Sequence, residues 1–308
     1  ISVMDMADPS KCKLHADALA SAGVVRLDRF VPPATIRALR DQMWRELAPH
    51  GIDRDSSWLG EARYLCGAVR PHLRTRDLSF DITALRSALD EWARAAFPRE
   101  QWTTCDMCSA HANFPRPLSA DGEAAESWRL PTYSSENGGG VDWHVDAPSL
   151  AGAEHSRPPL IKAFVLLNDV APYGGATLVV TGSHRLLRQL AVETPQPEGA
   201  TRPGGGPAGG RDDSEVARRA LADACARSGS EWCTKLFNGC EADTVARSER
   251  CSKGVTVRGV ALRVAALAGK AGDVYLMDPR AVHSWSGNSS NEPRLAIALY
   301  LERGAGYD

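Results

Sequence analysis

The chain carries no excess charge of either sign: 36 lysines and arginines stand against 38 aspartates and glutamates in 308 residues, a formal net charge of −2. Without a basic surplus there is no electrostatic footprint for nucleic acid, and no such partner is expected. No apolar run is long enough to span a bilayer, so a membrane partner is not expected either. The opening Ile1–Asp5 lacks a basic stretch followed by an apolar one. No signal peptide is visible, and the expectation is an intracellular, cytoplasmic protein. Cysteines in metal-ligand order are also lacking. Of the eight, at positions 12, 66, 105, 108, 225, 233, 240 and 251, only Cys105 and Cys108 are spaced as a CxxC pair. They fall in a strand-like stretch, where they would face opposite sides. The cysteines read as reduced thiols, with a disulfide within 225–251 as the exception to keep open.

What is there has a clear order. Ser10 is placed to cap a helix through Ala22 that Gly23 ends, and a strand is expected over Val24–Val31. Pro32-Pro33 opens a second helix, with Ile36, Leu39, Met43 and Leu47 at helical spacing. A third, from Asp81, carries Ile82, Leu85, Leu89 and Trp92 on one stripe and stops at Pro98. From Trp102 the period becomes strand-like: Thr103–Phe114, Leu160–Asn168, Ala176–Thr181, then Val255–Leu262, Asp273–Met277 and Leu295–Leu301. Helices followed by short strands, rather than alternating with them, predict a jelly roll or closed two-sheet barrel and not a doubly wound α/β sheet.

Two stretches break this series. Pro115–Gly140 is a long loop rich in Ser, Gly, Glu and Pro. The other, about 186–253, contains a Gly/Pro-rich run over Gly199–Arg211, expected to be mobile, and a helix over Asp213–Arg227. An insert of this length is either a lid over a reaction centre or a surface elaboration. The expected organisation is one domain over 1–308: a helical buttress at about 10–100, a β core at about 102–302 and the insert within it.

Chemistry gathers around Trp143-His144-Val145-Asp146. A histidine and a carboxylate two apart in an extended run project from one face, and both suit a divalent metal. Alone, the pair could equally be a surface contact or a hydrogen-bonded core histidine. A third ligand is available in His283, after Asp278-Pro279-Arg280. Arg294 then heads the apolar run Leu295–Leu299, and residues 294, 296, 298 and 300 share a face on which Ala296 and Ala298 leave room. A guanidinium there is costly unless it meets an anion or water, and its planar fork fits a carboxylate. A salt bridge at a strand end is the simpler alternative for the arginine by itself. Two histidines and one carboxylate on one side of a metal is the non-haem Fe(II) oxygenase arrangement; zinc could use the same ligands, but a zinc hydrolase has no use for Arg294.

The segments Trp143–Asp146, Leu166–Val170, Gly174–Val180, Gly182–Arg185 and His283 with Arg294 together resemble the phytanoyl-CoA dioxygenase family of Fe(II)- and 2-oxoglutarate-dependent oxygenases, over about residues 17–302 apart from the insert. The resemblance implies a double-stranded β-helix (jelly-roll, cupin-like) core and iron held by His144, Asp146 and His283. It implies 2-oxoglutarate gripped through its distal carboxylate by Arg294, with Asn113, Phe164 and Thr177 as further co-substrate residues, and O2 as the oxidant. Many relatives have a small hydroxyl residue two after the distal histidine; here that position is Trp285, between Ser284 and Ser286. Trp285, His111 and Lys162 are candidates for the substrate pocket. His111 could equally be a core histidine, and Lys162 a surface lysine at a strand edge. His184 in the Gly-Ser-His-Arg turn reads as structural.

The resulting expectation is a dioxygenase that couples decarboxylation of 2-oxoglutarate, to succinate and CO2, with oxidation of a small metabolite, most simply hydroxylation of an unactivated C–H. Desaturation or ring closure in a biosynthetic pathway is the alternative outcome. Asp146 speaks against halogenation, which needs the carboxylate's position vacant for chloride. From other classes, a non-catalytic jelly-roll binding protein and a zinc-dependent hydrolase or isomerase remain. Substrate identity and oligomeric state are not legible.

Overall fold

The N-terminal helix α1 (Pro9–Ala22) starts two residues earlier than its apparent cap suggests. Asp8, not Ser10, is the N-cap: its carboxylate accepts the Ser10 N–H at 2.9 Å, while Pro9 at the first helical position has no N–H to satisfy. Gly23 ends the helix at φ 80°, as expected. The strand that follows, β1, is shorter than its apolar run: it covers Val24–Leu27, and the chain then turns at Asp28-Arg29, where the Arg29 N–H donates to Asp273. The computed structural model describes residues 8–50, 52, 54, 73–74, 81–115, 143–146, 160–193, 211–238, 253–286, 288 and 290–304. The expected 115–140 loop beyond Pro115 and most of the Gly/Pro-rich run lie outside the described residues.

Two further helices keep to their stripes. In α2 (Pro33–Leu47), Ile36, Leu39, Met43 and Leu47 are buried; in α3 (Thr83–Ala96), Leu85, Leu89 and Trp92 are. The strands that follow are β2 (Leu73–Arg74), β3 (Trp102–Asn113), β4 (Leu160–Leu166), β5 (Thr177–Thr181), β6 (Val255–Val257), β7 (Val260–Ala266), β8 (Val274–Met277), β9 (His283–Trp285) and β10 (Arg294–Arg303). They form two sheets, one in the order β1-β8-β4-β10-β3-β2 and the other β6-β7-β5-β9, with every pairing antiparallel. This is a mainly β jelly roll, as the order of elements predicts.

Alternation along the strands divides three cores. Odd residues of β4 and β10 (Ile161, Val165, Leu295, Ile297, Leu299) pack outward with α1–α3. Even residues (Phe164, Leu166, Ala296, Ala298) face the second sheet across an inner core that also holds Val179, Tyr275 and Met277. Burial on both faces explains why β4 reads as a nearly continuous apolar run, interrupted only by Lys162.

A third core covers the outer face of the second sheet, and here the structure departs from expectation. Gly182–Arg185 is not merely a turn: α4 (Ser183–Glu193) begins there. The helix expected from Asp213 runs as α5 (Arg211–Arg227), followed by α6 (Trp232–Asn238), which the sequence does not announce. Leu187, Leu221, Cys225, Trp232 and Leu236 are buried in one cluster with Leu178, Val180 and Leu262 of the sheet. So the described helices of the insert are part of a core. Cys225 and Cys233 meet in it with Sγ atoms 2.8 Å apart, as thiols and not as a disulfide. Cys66, Cys240 and Cys251 lie outside the described residues. Among the described helices none is long and apolar enough to cross a membrane.

Candidate active site

Trp143–Asp146 lies against β9 through an isolated antiparallel bridge. His144 N–H donates to His283 O at 2.8 Å and His283 N–H returns to His144 O at 2.9 Å, while Asp146 N–H donates to Pro279 O. Alternation turns Trp143 and Val145 into the outer core and leaves His144 and Asp146 facing inward. The two histidines are therefore cross-strand neighbours, with ring centroids 4.1 Å apart. One ligand atom from each of His144, Asp146 and His283 can be chosen so that all lie within 4.8 Å of one another.

Their polar surroundings fit a metal. The Nδ1–H of His283 donates to the Ala281 carbonyl at 3.0 Å, which assigns the tautomer and aims the Nε2 lone pair inward. That Nε2 is buried without a hydrogen-bond partner, 3.2 Å from Asp146 Oδ2. A lone pair set against a carboxylate oxygen in a dry site is what a shared cation resolves.

Lys162 supplies positive charge at this point. Its Nζ donates to Asp146 Oδ2 at 2.5 Å, lies 4.8 Å from the Phe164 ring centroid, and sits beside Tyr300 of the facing strand. Burial pushes Asp146 up, but the Lys162 ammonium outweighs it and holds the carboxyl well below its ordinary value. Burial likewise works against the Lys162 charge, and Asp146 more than restores it. Lys162 is thus a buried ion-pair partner, not a surface lysine. Tyr300, absent from the sequence-derived candidates, belongs with it; its signal was its place as last residue on the Arg294 face.

The second feature lies at the head of β10. Arg294 is 4% exposed. Its Nη2 donates to Thr177 Oγ1 at 2.9 Å, its Nε is buried with no partner, and no carboxylate among the described residues faces it. Burial pushes its pKa down to about 10. Thr177 is two residues from Val179, the register partner of His283, a separation of roughly 7 Å along a strand.

Asn113 is the register partner of Arg294, and its amide nitrogen is committed to the protein itself. Its Nδ2 donates to the carbonyls of Gly175 (3.0 Å) and Ser286 (2.8 Å), tying β3 to the turns before β5 and after β9. Both amide hydrogens are spent, and only Oδ1 is left to meet a ligand. Gly175 is at φ 74°, and a Cβ there would lie 2.5 Å from Asn113 Nδ2. Gly175→Ala is therefore expected to cost about 2 kcal/mol or more in urea unfolding, from backbone strain and the broken tie.

The remaining candidates fall around these two points. Phe164 is buried, its ring centroid 6.5 Å from that of His283 and 6.3 Å from that of His111. His111 Nε2 is 2.8 Å from Ser109 Oγ. Trp285, half-buried, is opposite Thr177 in register. His184 is structural: its Nε2 donates to Ala20 O at the end of α1, and its ring fills the space a Cβ on Gly23 would need.

The loop that receives the Asp146 N–H is itself fixed by charge. Arg280 grips Asp278 with Nε at 2.9 Å and Nη2 at 2.6 Å. Burial raises the Asp278 pKa, and the guanidinium fork reverses this to a net lowering from 3.8. A depressed folded value contributes stability that is present above pH 3.8 and is lost as pH falls through the folded value. The stability advantage of wild type over Asp278→Asn should accordingly be constant from about pH 7 to about pH 5 and shrink below about pH 4, read by urea unfolding at each pH.

Against known proteins, the profile described as phytanoyl-CoA dioxygenase (PhyH) matches residues 19–296. The chain belongs to the phytanoyl-CoA dioxygenase family. It is accordingly a 2-oxoglutarate-dependent non-haem iron oxygenase. No curated protein matches it. Among solved structures, the epimerase SnoN, in complex with Fe3+, alpha ketoglutarate and nogalamycin RO, is 17% identical, with 96% of this chain and 84% of that one covered and a TM-score of 0.50. The carbocyclase SnoK from nogalamycin biosynthesis is 16% identical (94% and 83% covered, TM-score 0.50), and EvdMO1 is 15% identical (96% and 50% covered, TM-score 0.51). At these identities the likeness is one of fold, and it places this member of the phytanoyl-CoA dioxygenase family among jelly-roll proteins.

Proposed function

We propose that His144, Asp146 and His283 hold Fe(II), that Arg294 with Thr177 binds the distal carboxylate of 2-oxoglutarate, and that one domain formed by both sheets oxidises a C–H bond of a small metabolite, most simply by hydroxylation. The observation that carries this reading is Arg294: a buried guanidinium with an unpartnered Nε and no facing carboxylate among the described residues. A charge so placed is costly unless an anionic ligand completes it. The metal, when bound, supplies activation of dioxygen coupled to decarboxylation of the oxo acid. The protein's own residues do the rest. The Ala281 carbonyl fixes the His283 tautomer, Lys162 pairs with the Asp146 carboxylate until a metal takes its place, and Phe164, Met277, Ala296 and Ala298 make a wall that excludes water.

A second outcome of the same chemistry, ring closure or desaturation, draws support from SnoK, a carbocyclase on this fold. Labelled dioxygen separates the two, because hydroxylation leaves one of its atoms in the product and ring closure leaves none. The binding sites are tested without a substrate. Anaerobic addition of Fe(II) and then 2-oxoglutarate to the purified protein gives a weak visible charge-transfer band if the oxo acid chelates ferrous iron. Absence of the band, with turnover supported by zinc alone, overturns the reading.

A further inference from the structure

The segment bearing His144 and Asp146 is paired with β9 on one side only. Among the described residues, no strand lies on its other side. In an extended chain the backbone groups of alternate residues point to opposite sides, so the groups of Trp143 and Val145 point away from β9 and need partners elsewhere. The structure supplies them from α5. Arg218 Nη1 donates to the Trp143 carbonyl at 2.5 Å, and Ser214 Oγ accepts the Val145 N–H at 3.4 Å. Both sit on the stripe of α5 that continues as Ala217, Leu221, Ala224 and Cys225 into the outer core, where the Trp143 and Val145 side chains are also buried. Four residues apart, they lie one helical turn from each other and can address one short strand together.

We propose that α5 acts as a side-chain substitute for a neighbouring strand that the described residues do not supply, and that Arg218 and Ser214 are positioning residues for the metal ligands. The inference rests on the reading of His144 and Asp146 as ligands. An edge strand of a few residues held on one side is free to fray and twist. Held on both sides, it presents His144 and Asp146 to His283 at a fixed separation before any metal arrives. The insert thereby acts on the ligands from behind the strand.

The test uses the full chain, with Co(II) as the probe and metal-free protein as a second readout. Arg218→Ala is expected to bind Co(II) about tenfold more weakly, the lower end of what loss of an outer partner costs a metal site, and to change the Co(II) visible spectrum. Metal-free Arg218→Ala should exchange amide hydrogens faster in the peptide spanning 143–146. Arg218→Lys, which can still donate to the carbonyl, recovers most of both. Arg219→Ala is the control, since its exposed ion pair with Glu215 does not touch the segment. If Arg218→Ala melts lower yet keeps the wild-type Co(II) affinity, spectrum and exchange, Arg218 is merely structural and the proposal is overturned. Should Arg218→Ala not fold, Ser214→Ala decides: weaker Co(II) binding with faster exchange at Val145 supports the proposal, and wild-type values overturn it. Failure of the wild type to bind Co(II) would instead sink the ligand assignment.

Discussion

Arg294→Met will melt higher than the wild type and lose the use of 2-oxoglutarate. The two effects share one cause. In the metal-free protein the guanidinium is buried, partnered among the described residues only by Thr177, and depressed in pKa to about 10. Replacing a buried charge by an apolar side chain of similar volume is often stabilising, by about 1–4 kcal/mol. Truncating one side of a buried charged hydrogen-bonded contact costs about 2–5 kcal/mol of binding. At about 1.4 kcal/mol per tenfold, that is a loss of between about thirtyfold and a few thousandfold in 2-oxoglutarate affinity. Arg294→Lys keeps the charge but not the fork and should fall between. The affinity is read from the anaerobic Fe(II) band and the stability from thermal unfolding without metal. Unchanged 2-oxoglutarate affinity in Arg294→Met would remove the carboxylate site.

Asp146→Ala is expected to abolish metal binding and turnover and to destabilise the metal-free protein. It deletes one ligand and strands the Lys162 ammonium, which is left with Tyr300 and the Phe164 ring. Breaking a buried pair from one side costs about 3–5 kcal/mol. Lys162→Met is its mirror: it also weakens the metal-free fold, but the carboxylate it orphans is the one a metal can satisfy. An ammonium 2.5 Å from Asp146 Oδ2 competes with any incoming cation. By linkage, its removal should tighten Co(II) binding by about tenfold, within the usual range of coupling between sites. Calorimetric titration with Co(II) reads this directly, and a weaker Lys162→Met would show that the lysine supports the metal site and does not compete for it.

The sequence carries the inward-facing residues better than their supports. His144, Asp146, His283 and Arg294 stood out only as an ordered set, since neither the His-x-Asp pair nor the arginine alone excluded a simpler reading; the structure brings the first three within 4.8 Å of one another. Their companions depend on contacts across the fold. Lys162 reads as an edge lysine until register sets it beside Tyr300 and Asp146. Asn113 reads as a co-substrate contact, and nothing local says that its amide nitrogen also ties Gly175 to Ser286. The helix at Ser183 was obscured because Gly-Ser-His-Arg has the composition of a turn, and Asp8 because a serine stood two residues on. Arg218 had a faint signal, a cation among apolar residues on one stripe of α5, but nothing local says which carbonyl it meets.

The reciprocal backbone bridge between His144 and His283 has a consequence for biosynthesis. One histidine is made near the middle of the chain and the other close to the last strand, so no nascent polypeptide still short of β9 and β10 can offer both imidazoles to an ion. Loading must wait for β9 and β10 to emerge and dock. Any lesion that delays that docking should appear first as poor iron incorporation in freshly made protein, ahead of any loss in the yield of folded chain.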